Sequence, residues 1–191
     1  MRVLLHCCCG PCALYPARAL RREGFVVEGF FYNPNIHPYL EHAKRLAAYQ
    51  EMASQTGLAA IDQDDKKNLE YGLGYFMEEI SHLGPGAYQP RSKDRCRVCY
   101  HRRLDKTADI CGKLGYDAFS TSLLVSPYQD HEMIKSIGET IAAERGLSFL
   151  YRDFRGGFRE GRMMAREMGL YAQGYCGCAF SEWERYGSKA N

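Results

Sequence analysis

The 191-residue chain contains no apolar run of membrane-spanning length, which excludes a transmembrane helix. Its opening, Met1-Arg2-Val3-Leu4-Leu5-His6, is too short for a signal-peptide core and runs straight into cysteines, so a cytoplasmic location is expected. There is no internal repeat, low-complexity segment or clear linker, and one α/β domain over 1–191 is expected. Charge of one sign is not in excess, since the net charge is only +2. A phosphate loop rich in glycine and serine is also missing. The nearest segment, Cys8-Cys9-Gly10-Pro11-Cys12, puts a proline where such a loop needs a backbone donor.

What the chain does have is cysteine. Eight of its nine cysteines fall in three tight groups: Cys7-Cys8-Cys9 with Cys12, Cys96 with Cys99, and Cys176 with Cys178. Only Cys111 stands alone. In a reducing compartment such grouping points to metal ligands or redox groups rather than structural disulfides, and the odd total agrees.

Hydrophobic periodicity reads as strands alternating with helices. Strands are expected at 3–5, 26–32, 58–61, 119–125 and 147–151. Helices are expected at 13–22, 39–56, 68–83, 102–114, 130–145 and 158–168, with Gly24, Gly57 and Gly115 as stops. An irregular stretch from Gly84 to Cys96 and a cysteine-bearing tail complete the chain. On the 39–56 helix the pattern runs through Leu40, Ala43, Leu46, Ala47 and Gln50. This order argues for an α/β fold with a mainly parallel sheet flanked by helices. Sites in such sheets form beyond the carboxyl ends of the strands, where the first cysteine group, the Asn33 loop and the Ser126 loop all fall.

A four-thiolate site needs four ligands, and eight clustered cysteines exceed that. One reading is a single centre with spare cysteines. The other is two neighbouring centres, with the pairs Cys8/Cys9 and Cys176/Cys178 divided between them. Cys96 and Cys99 form a standard chelating pair. Cys12 falls in the first turn of a helix, where the helix dipole favours thiolate. Cys7 and Cys111 read as small buried hydrophobes. His6, His37, His101 and His131 are candidate ligands or proton carriers, each also readable as a packed or surface histidine. Asp153 could ligate metal or donate a proton, or simply pair with Arg152 or Arg155. Tyr128 could donate a proton, stack on a base, or anchor its loop. Asn33 and Asn35 are natural turn residues. Seven Lys or Arg lie between Arg91 and Lys106, and five Arg between Arg152 and Arg166. Both stretches flank candidate site residues and suit a polyanion, or else form solvated helix faces.

Taken together, the motifs resemble the QueH-type epoxyqueuosine reductases. The resemblance is carried by Leu4-Leu5-His6-x-Cys8-Cys9-Gly10-Pro11-Cys12, by Tyr32-Asn33-Pro34-Asn35-Ile36-His37-Pro38 and by Arg95-Cys96-x-x-Cys99-Tyr100. It continues through Ser120-Thr121-Ser122-Leu123-Leu124-x-Ser126-Pro127-Tyr128, Asp153-Phe154-Arg155 and Tyr175-Cys176-Gly177-Cys178, in order from Leu4 to Ser181. Ala172 departs from the pattern, where an arginine is expected nearby.

The resemblance implies a fold related to nucleotide-binding (HUP-like) domains. It implies reduction of epoxyqueuosine to queuosine at the wobble position of tRNA with a GUN anticodon, without cobalamin. It implies a [4Fe-4S] cluster with an additional mononuclear iron, fed by an electron donor of ferredoxin or flavodoxin type. The cluster would then take Cys96, Cys99, one of Cys8/Cys9 and one of Cys176/Cys178. The remaining members, with Asp153, would hold the single iron, and Cys12 is available to either. Asp153, Tyr128 and His131 become candidate catalytic acids, and Asn33, Asn35, Arg155 and Tyr100 candidate substrate contacts. Two rivals stay open: a thiol–disulfide oxidoreductase using Cys9 and Cys12, and a zinc-stapled RNA-binding module.

Overall fold

The computed structural model describes residues 1–62 and 72–187. Five strands, β1 (Arg2–His6), β2 (Val26–Phe31), β3 (Ala59–Asp62), β4 (Ala118–Thr121) and β5 (Ser148–Phe149), form one sheet in the order β3-β2-β1-β4-β5. Every pairing is parallel. Parallel strands need helical crossovers on the sheet faces, so the central strands are buried on both sides. Val3, Leu4 and Leu5 are accordingly inaccessible to solvent, as are all four residues of β4. The winding changes direction between β1 and β4, the switch point at which α/β sheets open a crevice.

The helices are α1 (Gly10–Arg22), α2 (Tyr39–Thr56), α3 (Leu73–Ser81), α4 (Lys93–Lys113), α5 (His131–Arg145), α6 (Phe158–Glu167) and α7 (Ala179–Tyr186). Pro11 opens α1, where its missing N–H costs nothing, and the Cys9 sulfur accepts the backbone N–H of Cys12 as an N-cap. Gly10 lets α1 approach α2 closely, because a Cβ there would lie 2.3 Å from the Ala48 carbonyl oxygen. Among the described residues no helix is long and apolar enough to cross a membrane.

The expected fold class is present, but several boundaries differ. The helix expected at 102–114 begins nine residues earlier, so Cys96 and Cys99 sit one turn apart on α4 rather than in a loop. The strand expected at 119–125 ends at Thr121 and becomes a 3₁₀ turn, Ser122–Val125. The expected 147–151 strand shrinks to Ser148–Phe149. The helix expected at 68–83 is seen as Leu73–Ser81, and its residues 68–71 lie outside the described residues. Helix α7 lies in the stretch that the sequence reads only as a cysteine-bearing tail. On α2 the buried residues are Glu41, His42, Arg45, Ala48, Tyr49, Met52 and Ala53, whereas Leu40 is 69% exposed. The periodicity misled because the inner face of α2 carries polar groups that serve the neighbouring loops.

Candidate metal centre

Just beyond β1 the chain places Cys8 and Cys9 in the turn entering α1 and Cys12 in its first turn. Their three sulfurs lie within 4.8 Å of one another. Cys8 Sγ is 3.9 Å from Cys9 Sγ, and the Ser122 hydroxyl at the end of β4 lies 3.5 Å from Cys8 Sγ. Gln173 from the C-terminal loop donates its Nε2–H to Cys9 Sγ at 3.1 Å, with Cys12 Sγ at 3.9 Å.

Burial works against a charge on Cys9. Hydrogen bonds from Cys12 and Cys8, the Arg45 guanidinium and the Gln173 amide outweigh it and hold the thiol well below its ordinary range. Cys12 is held well above that range, first by its bonds to Cys8 and Cys9 and then by burial. The expectation that the helix start favours a Cys12 thiolate is therefore corrected. The thiol that is lowered is that of the N-cap residue, Cys9, because it accepts the hydrogen bonds that Cys12 helps supply.

The second and third cysteine groups come together. Cys96 and Cys99 both lie within electrostatic reach of Cys176 and Cys178. Burial pushes the Cys96 thiol up to about 12 and the Cys99 thiol up to about 11. Asn35 donates Nδ2–H to Cys99 Sγ at 2.5 Å, and Gln129 donates Nε2–H to Cys176 Sγ at 3.5 Å. Arg103, fully buried on α4, donates Nε–H to Asn35 Oδ1 at 3.0 Å. Its guanidinium feels Cys99, Cys176 and Cys178 and also Cys8. Cys8 and Cys9 both belong to the first sulfur cluster, and Cys176 and Cys178 both lie within electrostatic reach of Cys96 and Cys99.

A second buried cation fastens the C-terminal loop. Arg45 on α2 pairs with Glu41 at 2.6 Å, donates to the Cys176 carbonyl at 2.6 Å and to the Tyr175 carbonyl at 3.1 Å. The Asn33–Pro38 loop completes the clamp. The His37 N–H donates to the Gly177 carbonyl at 2.8 Å, and the Tyr175 hydroxyl donates to the His37 carbonyl at 2.8 Å. Gly177 adopts φ 145°, and a Cβ there would meet Arg45 Nη1 at 3.0 Å and Ile36 Cγ1 at 3.1 Å.

Other expected residues occupy varied positions. Asp153 is 42% exposed and its carboxylate takes three hydrogen bonds from the Arg155 side chain. Those bonds, above all, hold it down to about 2. Tyr128 is 84% exposed, with its ring edge-on to Phe158. His131 is buried, with Nε2 3.2 Å from the Ser126 carbonyl oxygen. Tyr100 is buried and donates its hydroxyl to Gln129 Oε1 at 2.9 Å, so its ring faces the core rather than an incoming base. Asn33 donates to the Cys7 carbonyl at 2.9 Å. Cys7 donates to the Leu5 carbonyl inside the core, and Cys111 to the Tyr116 carbonyl. His6 is buried between Thr121 and Tyr32, and burial lowers it to about 4. His101 is exposed on the outer face of α4. Of the basic stretch 91–106, Arg95 and Arg103 are buried, so it is only partly a surface feature.

Arg45, Arg103, Gln129 and Gln173 were not singled out from the sequence. The available signal for the two arginines was a charged residue on an otherwise inward-facing helical stripe. Nothing in the local pattern marks the two glutamines.

A parallel α/β sheet with a three-sulfur cluster just beyond its central strand, able to hold a metal ion, places the chain among thiol-rich α/β proteins. Three softly basic thiols suit a borderline or soft metal far better than magnesium or calcium. Residues 3–184 match the model of the epoxyqueuosine reductase QueH family, and the chain belongs to that family. It is 36% identical over 186 residues to an epoxyqueuosine reductase QueH from Dehalococcoides mccartyi, covering 97% of this chain and 95% of that protein. It is 37% identical over 195 residues to one from Thermotoga maritima, covering 96% and 91%. Among solved structures it resembles one described as a predicted subunit of tRNA methyltransferase from Methanocaldococcus jannaschii. The TM-score is 0.51 at 17% identity, covering 87% of this chain and 75% of that one, a likeness of fold.

Proposed function

We propose that this chain is an oxidoreductase that reduces epoxyqueuosine to queuosine in tRNA, the last step of queuosine biosynthesis, without cobalamin. The observation that carries the reading is the Cys8, Cys9 and Cys12 sulfur cluster, with Cys96 and Cys99 within electrostatic reach of Cys176 and Cys178, in a chain of this family. Removing the epoxide oxygen takes two electrons and two protons and releases water, so the site must supply both.

The sulfur arrangement supports a reading with two iron-containing groups. An ion bound through metal–sulfur bonds of about 2.3 Å sets its thiolates about 3.8 Å apart at a tetrahedral edge. The 3.9 Å between Cys8 Sγ and Cys9 Sγ matches that spacing. Three ligands on one ion leave a fourth position open, as catalytic sites require. Cys8, Cys9 and Cys12 therefore hold a single iron in this reading, and Cys96, Cys99, Cys176 and Cys178 a [4Fe-4S] cluster. When bound, the cluster supplies electrons singly and the iron supplies Lewis acidity.

The chain's own groups do the rest. Cys9, its thiol held well below the ordinary range, gives up its proton to a metal most readily. Buried Arg103 offsets the negative charge of both sulfur groups. Tyr128, exposed beside Phe158, can stack on an unpaired base, and His131 and Asp153, which feel each other's charge, are the candidate proton donors in this reading. To serve as a ligand or an acid, Asp153 must first exchange Arg155 for substrate or metal. Arg155 and the exposed arginines of 152–166 are then free to take tRNA phosphates, a salt-sensitive contact. Electrons come from a one-electron carrier of ferredoxin or flavodoxin type.

The test is anaerobic incubation of reduced protein with tRNA carrying epoxyqueuosine, with nucleosides read by mass spectrometry. Queuosine should form without added cobalamin. Its absence under full reduction, with iron and sulfide present, contradicts the reading. One observation favours a second reading: the low Cys9 and high Cys12 thiols resemble the unequal pair of a thiol–disulfide exchanger. That reading predicts disulfide reductase activity that survives removal of iron.

A further inference from the structure

Three side-chain carboxamides point their N–H groups at sulfur. We propose that two of them, Asn35 and Gln173, set the reduction potentials of the iron held by the two cysteine groups, each as the hydrogen-bond donor for one group. The inference rests on the iron–sulfur reading above.

For Asn35 the orientation of the amide follows from what its oxygen does. Asn35 Oδ1 is already taken by Arg103 Nε–H at 3.0 Å, and both residues are buried. Its Nδ2 is thereby fixed toward Cys99 Sγ at 2.5 Å. Gln173 Oε1 is buried with no hydrogen-bond partner, a costly arrangement for a polar atom. The arrangement is stable when the amide's other end meets a strong acceptor, and Nε2 lies 3.1 Å from Cys9 Sγ. The third amide, Gln129, has its oxygen claimed by Tyr100 and reaches Cys176 Sγ only at 3.5 Å.

Reduction adds negative charge that is shared onto the ligating sulfurs. An N–H aimed at such a sulfur is worth more after reduction than before, so it raises the potential. Amides suit the task because they do not titrate, and their effect is the same at any physiological pH. Asn35 and Gln173 are thus positioning residues for electron entry, one on the Asn33–Pro38 loop and one on the loop that carries the third cysteine group.

The experiment is a potentiometric titration of the anaerobic, iron-loaded protein, followed by electron paramagnetic resonance, with iron and sulfide measured on each sample. The variants are Asn35→Asp and Gln173→Leu. Asp keeps the contact to Arg103 and loses the donor to Cys99. Leu fills the space of a partly exposed side chain without adding charge. Each should lower the midpoint of its own centre by about 60 mV, a roughly tenfold change in a one-electron equilibrium. The Gln173→Leu shift should be equal at pH 6.5 and 8.5. The unfolding midpoints of the loaded variants should stay near that of the parent. Full iron and sulfide with unmoved midpoints overturns the inference and leaves the reductase reading standing. If Asn35→Asp fails to load iron, Gln173→Leu still decides. A parent protein without iron or sulfide overturns both.

Discussion

Arg45 shows how much one buried side chain can organise. It sits on the inner face of α2, paired with Glu41 and bonded to two carbonyls of the loop that carries Cys176. Arg45→Met leaves the Glu41 charge buried without its cation, a change that costs about 3–5 kcal/mol. Denaturant unfolding of the metal-free protein should show that loss, and a cost under about 1 kcal/mol would mean the pair is not buried in solution. His6 and His37 make a second residue-scale prediction. Burial lowers each from 6.5 to about 4. The unfolded chain therefore takes up protons before the folded one does. Stability is complete above pH 6.5 and falls as pH drops from 6.5 toward 4, by up to roughly 3 kcal/mol per histidine. A flat stability profile across that window would refute the assignment. At this scale the sequence was legible where residues bunched, as the cysteines do. It was illegible where a lone Arg or Gln acts through distance in space, since Gln173 meets Cys9 across 164 positions.

At the scale of elements, the helix start and the glycine turn decide which sulfurs meet. Cys96 and Cys99 share a face because α4 begins at Lys93, capped by Ser92, whose hydroxyl accepts the Arg95 N–H. The charged run around Arg91 looked irregular because local polarity says nothing about a helix whose inner face is met by distant loops. The expected 39–56 helix, by contrast, has the observed limits, since Gly57 closes it in the left-handed conformation. In the third group, Gly177 turns the chain at φ 145° between Cys176 and Cys178. Gly177→Ala places a methyl against Arg45 and Ile36 in a conformation alanine avoids. It should cost more than about 1 kcal/mol and lower metal occupancy at Cys176 and Cys178, as read by elemental analysis. Unchanged stability and occupancy would show that the turn is not required.

For the whole molecule, the parallel order of strands was legible because buried runs and amphipathic helices alternate with little ambiguity. The grouping of the cysteines was not, because it depends on where the C-terminal loop returns, and α2 and the Asn33–Pro38 loop determine that. Cys96 and Cys99 are protonated in the empty protein, so metal entry must displace their protons and bind more tightly as pH rises. Calorimetry of anaerobic metal addition in buffers of different ionisation heat should show proton release, and none would contradict two protonated thiols. Loading should also raise the unfolding temperature, since the ligands come from both ends of the chain.

The most direct test of the central claim is the iron and acid-labile sulfide content of the anaerobically purified protein. Two centres predict about five iron and about four sulfide per chain, consistent with one [4Fe-4S] cluster and one further iron. Zinc alone, with neither iron nor sulfide, would contradict it.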